Sequence, residues 1–281
     1  MKNKVVIINS TGGSPYHGPN FRSYYIGKNL LKFCYDVTVI ANSFFHKFYN
    51  IPSLKGTFTN EEIDGLNYIW VKTKKYQTRG IFQVFNQIQF TQKLCTNFHK
   101  LGLQNSTVFI VSSPVPFSIV TVSFYANIWN KKVCFEIRDL WPIVLQELGN
   151  FSRWHPYMFI LQKTEKFAYL NSDHIVSVKP GDFEYIRERY NITDDKFTYI
   201  PNGIDFSIKP IEVLPLEIRK KIPENKFIVG YTGSLSIAYG IINLLKAAKK
   251  LMSEEIHFII IGSGPEKQDL LNFAKKNRLS N

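Results

Sequence analysis

Cysteine is scarce in this sequence: Cys34, Cys95 and Cys134 are the only three among 281 residues, far apart and odd in number. That excludes a disulfide framework, a CxxC redox pair and the paired spacings of a zinc site, and it fits a reducing compartment. Long apolar runs are missing as well. The longest, Val115 to Trp129, is broken by serines and an asparagine and falls short of the ~20 residues a membrane-crossing helix needs. There is no internal repeat and no low-complexity tract, so neither a solenoid nor a disordered array is expected. Acidic residues are the minority charge, 22 Asp and Glu against 35 Lys and Arg, for a formal charge of +13. The excess favours anionic partners such as nucleotide phosphates, nucleic acid or an acidic membrane surface. No long basic run concentrates it; the densest pieces are Lys72 to Arg79, Arg219 to Lys221 and Lys275 to Arg278. The chain enters the apolar KVVIIN directly, without a basic-then-apolar leader. The expectation is therefore a cytoplasmic protein, in solution or peripheral at the inner face of the membrane.

Three further absences narrow the chemistry. No GxGxxG follows the first strand and no acidic residue stands where a ribose would need one, which argues against a dinucleotide oxidoreductase. The histidines His17, His46, His99, His155, His174 and His257 show no metal-ligand spacing, and no Asp-x-Asp pair occurs; no metal and no cofactor is expected. Nucleic-acid binding has only the net charge behind it and no motif, so nucleic acid is not expected as a partner.

Hydrophobic residues make up 44% of the chain and aromatics 15%, enough to build real cores. Apolar strands alternate with helical patterns: Val5 to Asn9, a helix over Phe21 to Phe33, then Asp36 to Ala41. Asn42 to Asn60 has no clear period and reads as a long loop. GLNYIWVKT is a strand. Ile81, Val84, Phe85, Ile88, Leu94, Cys95 and Phe98 mark an amphipathic helix, expected to pack on the sheet because its polar face is rich in glutamine rather than basic. The competing reading, with Lys72 to Arg79 just before it, is a helix lying on an acidic bilayer. TVFIVSS, KVCFEI, HIVSV and KFTYI are further strands, with helices between them, and Pro210, Pro215 and Pro223 punctuate a linker. Unpatterned apolar strands alternating with helices predict an α/β chain with parallel sheets, doubly wound. Two α/β domains are expected, residues 1–205 and 206–281, the second incomplete, because only two strands are legible after Asp205.

Those two strands carry the strongest local signal. KFIVGYTGSLS and IHFIIIGSGPE flank a helix with Ile241, Leu244, Leu245, Ala248, Leu251 and Met252 at helical spacing. Both strands end in small-residue turns, where doubly wound sheets bind ligands. Backbone N–H groups and hydroxyls around Gly233, Ser234 and Ser236, helped by the following helix's dipole, suit a phosphate. The loop after the first strand, with Gly12 and Gly13, occupies the corresponding place in the first half; glycine lets backbone approach a phosphate closely, or only makes a turn. Arg138 and Asp139 end a buried strand. Side by side there they would be costly to bury unless paired or facing a polar ligand.

Taken in order, STGGSPYHGPNFR, FEIRDLWP, EKFAYLNSDHIVSV, PNGID, YTGSLS and GSGPE resemble the retaining glycosyltransferases of family 4, which have the GT-B fold. FEIRDLWP is similar to the branch that includes L-fucosamine transferases of O-antigen and capsule assembly. The resemblance spans the whole chain and implies a nucleotide-diphosphate sugar as donor and a lipid-linked or saccharide acceptor. It also implies roles residue by residue. Gly12 and Gly13 would lie near the donor diphosphate and acceptor, and Gly262 and Gly264 would flank the nucleotide base. Asn202 and Gly203 match the interdomain turn, as ligand contact or as plain turn. Arg22 would bind phosphate or carboxylate, or else be a surface arginine. From its own place at the strand end, and not from the family, Asp139 is a candidate to orient the acceptor hydroxyl or accept its proton. His17, by its place in the first loop, either faces the acceptor or is structural.

The sequence also departs from the family. Arg138 stands where many relatives carry histidine, and the arginine and lysine usual on the donor diphosphate are missing around Thr232 to Ser234 and at Tyr239. The acidic pair that holds the donor sugar lies beyond Asn281 in sequence, so the chain by itself is expected to be crippled in donor binding. Two other readings stay open here: a sugar-nucleotide epimerase on the same fold, and a truncated, non-catalytic ligand-binding remnant.

Overall fold

The computed structural model describes residues 3–76, 80–113, 117–147, 151–152, 154–206 and 213–281. Arg79 and Pro210, read above as parts of a basic cluster and a linker, lie outside the described residues, as does Pro114, which the sequence suggests as the stop of the strand TVFIVSS. The chain divides into two compact units, residues 1–205 and 206–281.

Unit 1 contains β1 (Lys4–Ile8), α1 (Arg22–Lys32), β2 (Asp36–Asn42), β3 (Phe58–Ile63), β4 (Leu66–Val71), α2 (Ile81–Asn97), β5 (Val108–Ser112), α3 (Ser118–Ile128), β6 (Lys132–Ile137), α4 (Ile143–Glu147), α5 (Pro156–Asn171), β7 (His174–Ser177), α6 (Asp182–Tyr190) and β8 (Phe197–Tyr199). Among the described residues, its strands form one sheet in the order β3-β4-β2-β1-β5-β6-β7-β8. All pairings are parallel except β3 with β4. Val5 to Ile8 are buried on both faces, as an unbroken apolar strand at the centre of a doubly wound sheet must be. One face carries Val6, Ile8, Phe109, Val111 and Phe135 against Phe90, Leu94, Phe98, Ile119 and Val122 of the helices. The other carries Val5, Ile7, Val37, Val39 and Trp70 against Tyr24.

Two expectations for this unit need correction. The end of the long loop, Phe58 to Asn60, belongs to an antiparallel edge strand, Phe58–Ile63, closed onto β4 by a tight turn. Asp64 (φ 51°) and Gly65 (φ 83°) are both left-handed there, the conformation a two-residue hairpin of this hand needs. The second correction concerns α2. Of its expected core face, Phe85 and Ile88 are 59% and 47% exposed, and Cys95 is exposed too. Asn86 and Gln87 are buried instead. The Asn86 amide donates to Thr73 Oγ1 and to the Lys74 carbonyl, and its Oδ1 accepts from Asn42. This buried polar network sets the rotation of the helix and turns Phe82 and Phe85 outward.

Unit 2 holds α7 (Leu216–Arg219), β9 (Phe227–Ser234), α8 (Ile241–Lys250), β10 (Ile256–Ser263) and α9 (Lys267–Lys276). β9 and β10 pair in parallel as a two-stranded sheet. Its core is small: Leu235, Ile241, Leu245 and Leu270. The apolar β10, expected to be buried on both faces, is only half-buried, and Ile261 is 61% exposed. No helix among the described residues is long and apolar enough to cross a membrane.

Candidate functional site

In unit 1 the polar side chains gather at the carboxyl ends of β1, β5, β6 and β7, beside the point where connections leave β1 and β5 in opposite directions. That is where an open α/β sheet binds ligands. The loop after β1 is built from its own backbone. Gly12 N–H donates to the Asn9 carbonyl and Gly13 N–H to the Asn20 carbonyl, while Thr11 N–H is taken by Asn9 Oδ1. Of the two readings of Gly12 and Gly13, phosphate approach or plain turn, the hydrogen bonds favour the turn: both amides close the loop. Their smallness serves packing. A Cβ on Gly13 would stand 2.2 Å from the Gly18 carbonyl oxygen and 2.3 Å from that of Pro19.

The same loop holds His17, and here too the geometry favours the plainer reading. The residue is 6% exposed, its Nδ1 lies 2.9 Å from Ser14 Oγ, and its Nε2 lies 3.4 Å from Glu61. Its ring packs on Trp70 with centroids 4.8 Å apart. Burial lowers its pKa, with the Glu61 carboxylate pulling the other way. His17 braces the loop and presents no open edge to an acceptor.

Arg22, at the first turn of α1, is likewise committed within the protein. Its Nε donates to Glu136 Oε1 at 2.8 Å, and its Nη groups donate to the Ile200 and Pro201 carbonyls and to Asn202 Oδ1. Glu136 is 2% exposed and also accepts from Ser112 Oγ. Four of its five N–H donors are thus spent on protein groups, which makes Arg22 a positioning residue. It ties the Pro201-Asn202-Gly203 turn to the sheet, and Asn202 is a structural acceptor. Gly203 is exposed, with open space where a Cβ would be.

Arg138 and Asp139, directly after β6, behave differently. Arg138 Nη2 donates to Asn20 Oδ1 at 3.2 Å, joining the strand end to the glycine loop. Its Nη1 is buried and lacks a hydrogen-bond partner. Burial lowers the guanidinium pKa, while Glu136 and Asp139 counter the shift. A buried cationic N–H without an acceptor is costly, and an anionic ligand oxygen would satisfy it. Asp139 is held by the Ser113 hydroxyl, which accepts from the backbone N–H of Arg138 and of Asp139. Its carboxylate pairs with Lys179 Nζ at 3.1 Å, both side chains about half exposed. Lys179 follows β7 and escaped the sequence reading, as did Glu136 and Asn20. The available signal was position: the first polar residues past each parallel strand converge at one rim.

In unit 2, Gly233 and Gly262 face each other across the β9–β10 pair. A Cβ on Gly262 would sit 2.1 Å from the Gly233 carbonyl oxygen, and one on Gly264 would sit 2.1 Å from that of Leu235. These glycines allow the two strand ends to close on each other. Ser234 is exposed and Ser236 half-buried. A 3₁₀ turn, Ile237–Tyr239, separates Ser236 from α8, whose N-cap is Gly240 at φ 59°. The expected helix dipole thus begins beyond Ser236 rather than at it.

Residues 18–208 match Glycosyltransferase Family 4, and residues 216–281 match Glycosyl transferases group 1. Among curated proteins none matches. Solved structures share the fold along the whole chain. A glycosyltransferase from Rickettsia africae is 13% identical, with a TM-score of 0.59 over 100% of this chain and 66% of its own. Anabaena HepE, in complex with UDP and glucose, is 13% identical, with a TM-score of 0.61 over 99% of this chain and 67% of its own. A UDP-forming α,α-trehalose-phosphate synthase from Burkholderia xenovorans is 14% identical, with a TM-score of 0.67 over 100% and 71%. The chain spans about two-thirds of the length of these structures, and at such identities they establish the Rossmann-like GT-B fold alone. With more than half of its length matched, the chain belongs to glycosyltransferase family 4.

Proposed function

We propose that the protein transfers a sugar from a nucleotide-diphosphate sugar to a lipid-linked or saccharide acceptor, with retention at the anomeric carbon. The observation that carries this reading is the buried, unfilled Nη1 of Arg138 beside the glycine loop, with Asp139 and Lys179 open next to it. In the reaction the bond from the anomeric carbon to the diphosphate oxygen breaks and one to the acceptor hydroxyl forms. Arg138 supplies a fixed cation to the departing diphosphate, the kind of preorganised charge that stabilises such a leaving group. Asp139 orients the acceptor hydroxyl and takes its proton, and Lys179 keeps that carboxylate in place. The closed loop of Gly12 and Gly13 forms a floor beside Arg138. In unit 2 the strand ends at Gly233, Ser234, Ser236, Gly262 and Gly264 are the candidate nucleotide contacts of that unit. The UDP and glucose held by HepE support a uridine diphosphate sugar. FEIRDLWP resembles the L-fucosamine transferase branch, which supports a role in O-antigen or capsule synthesis.

The test is to incubate the intact protein with a panel of nucleotide-diphosphate sugars and a lipid-linked acceptor. Nucleoside diphosphate release and the anomeric configuration of the product are then read. A retained configuration with a stoichiometric nucleoside diphosphate is expected. No turnover of any donor by folded protein, or an inverted product, contradicts the reading.

A further inference from the structure

We propose that the outer face of α2, α3 and α5 docks on an anionic lipid bilayer. The three helices lie side by side on one face of the unit 1 sheet. Tyr125 on α3 donates to the Cys95 carbonyl on α2 at 3.5 Å, and Phe117, before α3, meets Tyr157 on α5 edge-on. Each helix leaves apolar residues outside. On α2, Phe82, Phe85 and Ile88 are 57%, 59% and 47% exposed. On α3 the inner stripe Ile119, Val122 and Ala126 is buried, yet Val120, Phe124 and Ile128 on the opposite side are about half exposed or more. Phe159 and Ile160 continue the patch on α5. A helix apolar all round belongs in an interior, and contiguous exposed patches of this kind mark interaction sites. The orientation of α2 is not slack packing, because the Asn86 network buries its polar side.

Charge selects the occupant. No Asp or Glu occurs between Asp64 and Glu136, whereas Lys72, Lys74, Lys75, Arg79, Lys93, Lys100, Lys131 and Lys132 all fall there. Among the described ones, Lys74 is tied to α2 through Gln89, which accepts from its backbone N–H at 2.7 Å. On α5 the one acidic residue, Glu165, is buried, and Lys163 lies over the Phe159 ring at 4.5 Å. The face is therefore apolar, flanked by cations and free of exposed carboxylates along these helices. That is the composition of a surface that sinks into the headgroup region of anionic lipid. A second copy of the chain would instead bring two basic faces together, which like-charge repulsion opposes. The argument stands on this face and not on the transfer reaction.

Sedimentation of the intact protein with vesicles tests it, comparing pure phosphatidylcholine with phosphatidylcholine mixed with phosphatidylglycerol. Binding to the mixed vesicles is expected, weakened by salt and roughly tenfold by Phe85→Ser with Phe124→Ser, and comparably by Lys74→Glu with Lys75→Glu. Both variants alter exposed side chains, so melting temperature and nucleotide-sugar turnover in detergent should stay as in the parent. Failure of the parent to bind mixed vesicles, or undiminished binding by both variants, overturns the proposal. So does a concentration-dependent dimer that the same variants abolish, since it would assign the face to a second copy.

Discussion

Glu136 and Asp139 stand three residues apart at the end of one strand, each paired with a cation, and they are opposites. The Glu136–Arg22 pair is buried, with 3% and 8% of its side-chain surface exposed, and its remaining hydrogen bonds go to protein groups. The Asp139–Lys179 pair is about half exposed and sits beside the unfilled Nη1 of Arg138. Identical chemistry thus serves two ends. A saturated pair taken out of water holds the scaffold, because losing either partner strands a charge. A solvated pair contributes little to stability and is available to a substrate.

The largest effect should come from the open pair. Asp139→Asn is expected to lower the turnover number by roughly a hundredfold to ten-thousandfold. Its unfolding free energy should change by no more than about 1 kcal/mol in denaturant titration. A variant that instead unfolds while keeping its turnover would reverse the roles assigned to the two pairs. Next, Glu136→Ala should cost about 3–5 kcal/mol of stability by the same titration, since Arg22 is left buried without its counter-ion. An unchanged midpoint would break the contrast.

A third buried carboxyl sharpens it. Glu165 takes hydrogen bonds from the Tyr169 and Tyr190 hydroxyls, and burial pushes its pKa up to about 7. The folded value lies above the ordinary glutamate value of about 4.3, so between the two the folded protein binds the extra proton. The stability this group contributes is present at low pH. It falls as pH rises from about 4.3 through about 7, at no more than about 1.4 kcal/mol per pH unit. Glu165→Gln should flatten that slope, measured as melting temperature against pH; an unchanged slope would show that the proton sits elsewhere.

Much of the fold could be read from unbroken apolar strands, because burial on both faces leaves no other pattern for a central parallel strand. The edge strand β3 was not legible: Thr59, Asn60, Glu61 and Glu62 are polar, and only the Asp64-Gly65 pair hinted at a hairpin. Apolar spacing on α2 was right for Leu94 and Phe98 and wrong for Phe85, Ile88 and Cys95, since the buried network around Asn86 decides the rotation and spacing does not count it. In the site, Arg138 and Asp139 stood out as charges ending a buried strand. The partners of Arg22 and Asp139 did not, because they lie 114 and 40 residues away and only strand order brings them close. Gly12 and Gly13 were recognisable as important, but the direction of an amide is set by how its loop closes. Composition carries no trace of that.

The central claim is that Arg138 keeps a buried N–H for the diphosphate of the donor. Calorimetric titration of UDP into the intact protein and its Arg138→Ala variant tests this most directly. A charge-assisted hydrogen bond of about 1.5–3 kcal/mol predicts roughly ten- to hundredfold weaker binding in the variant, with a loss of stability no larger than the single hydrogen bond to Asn20 supplies. Equal affinity in the two proteins would contradict it.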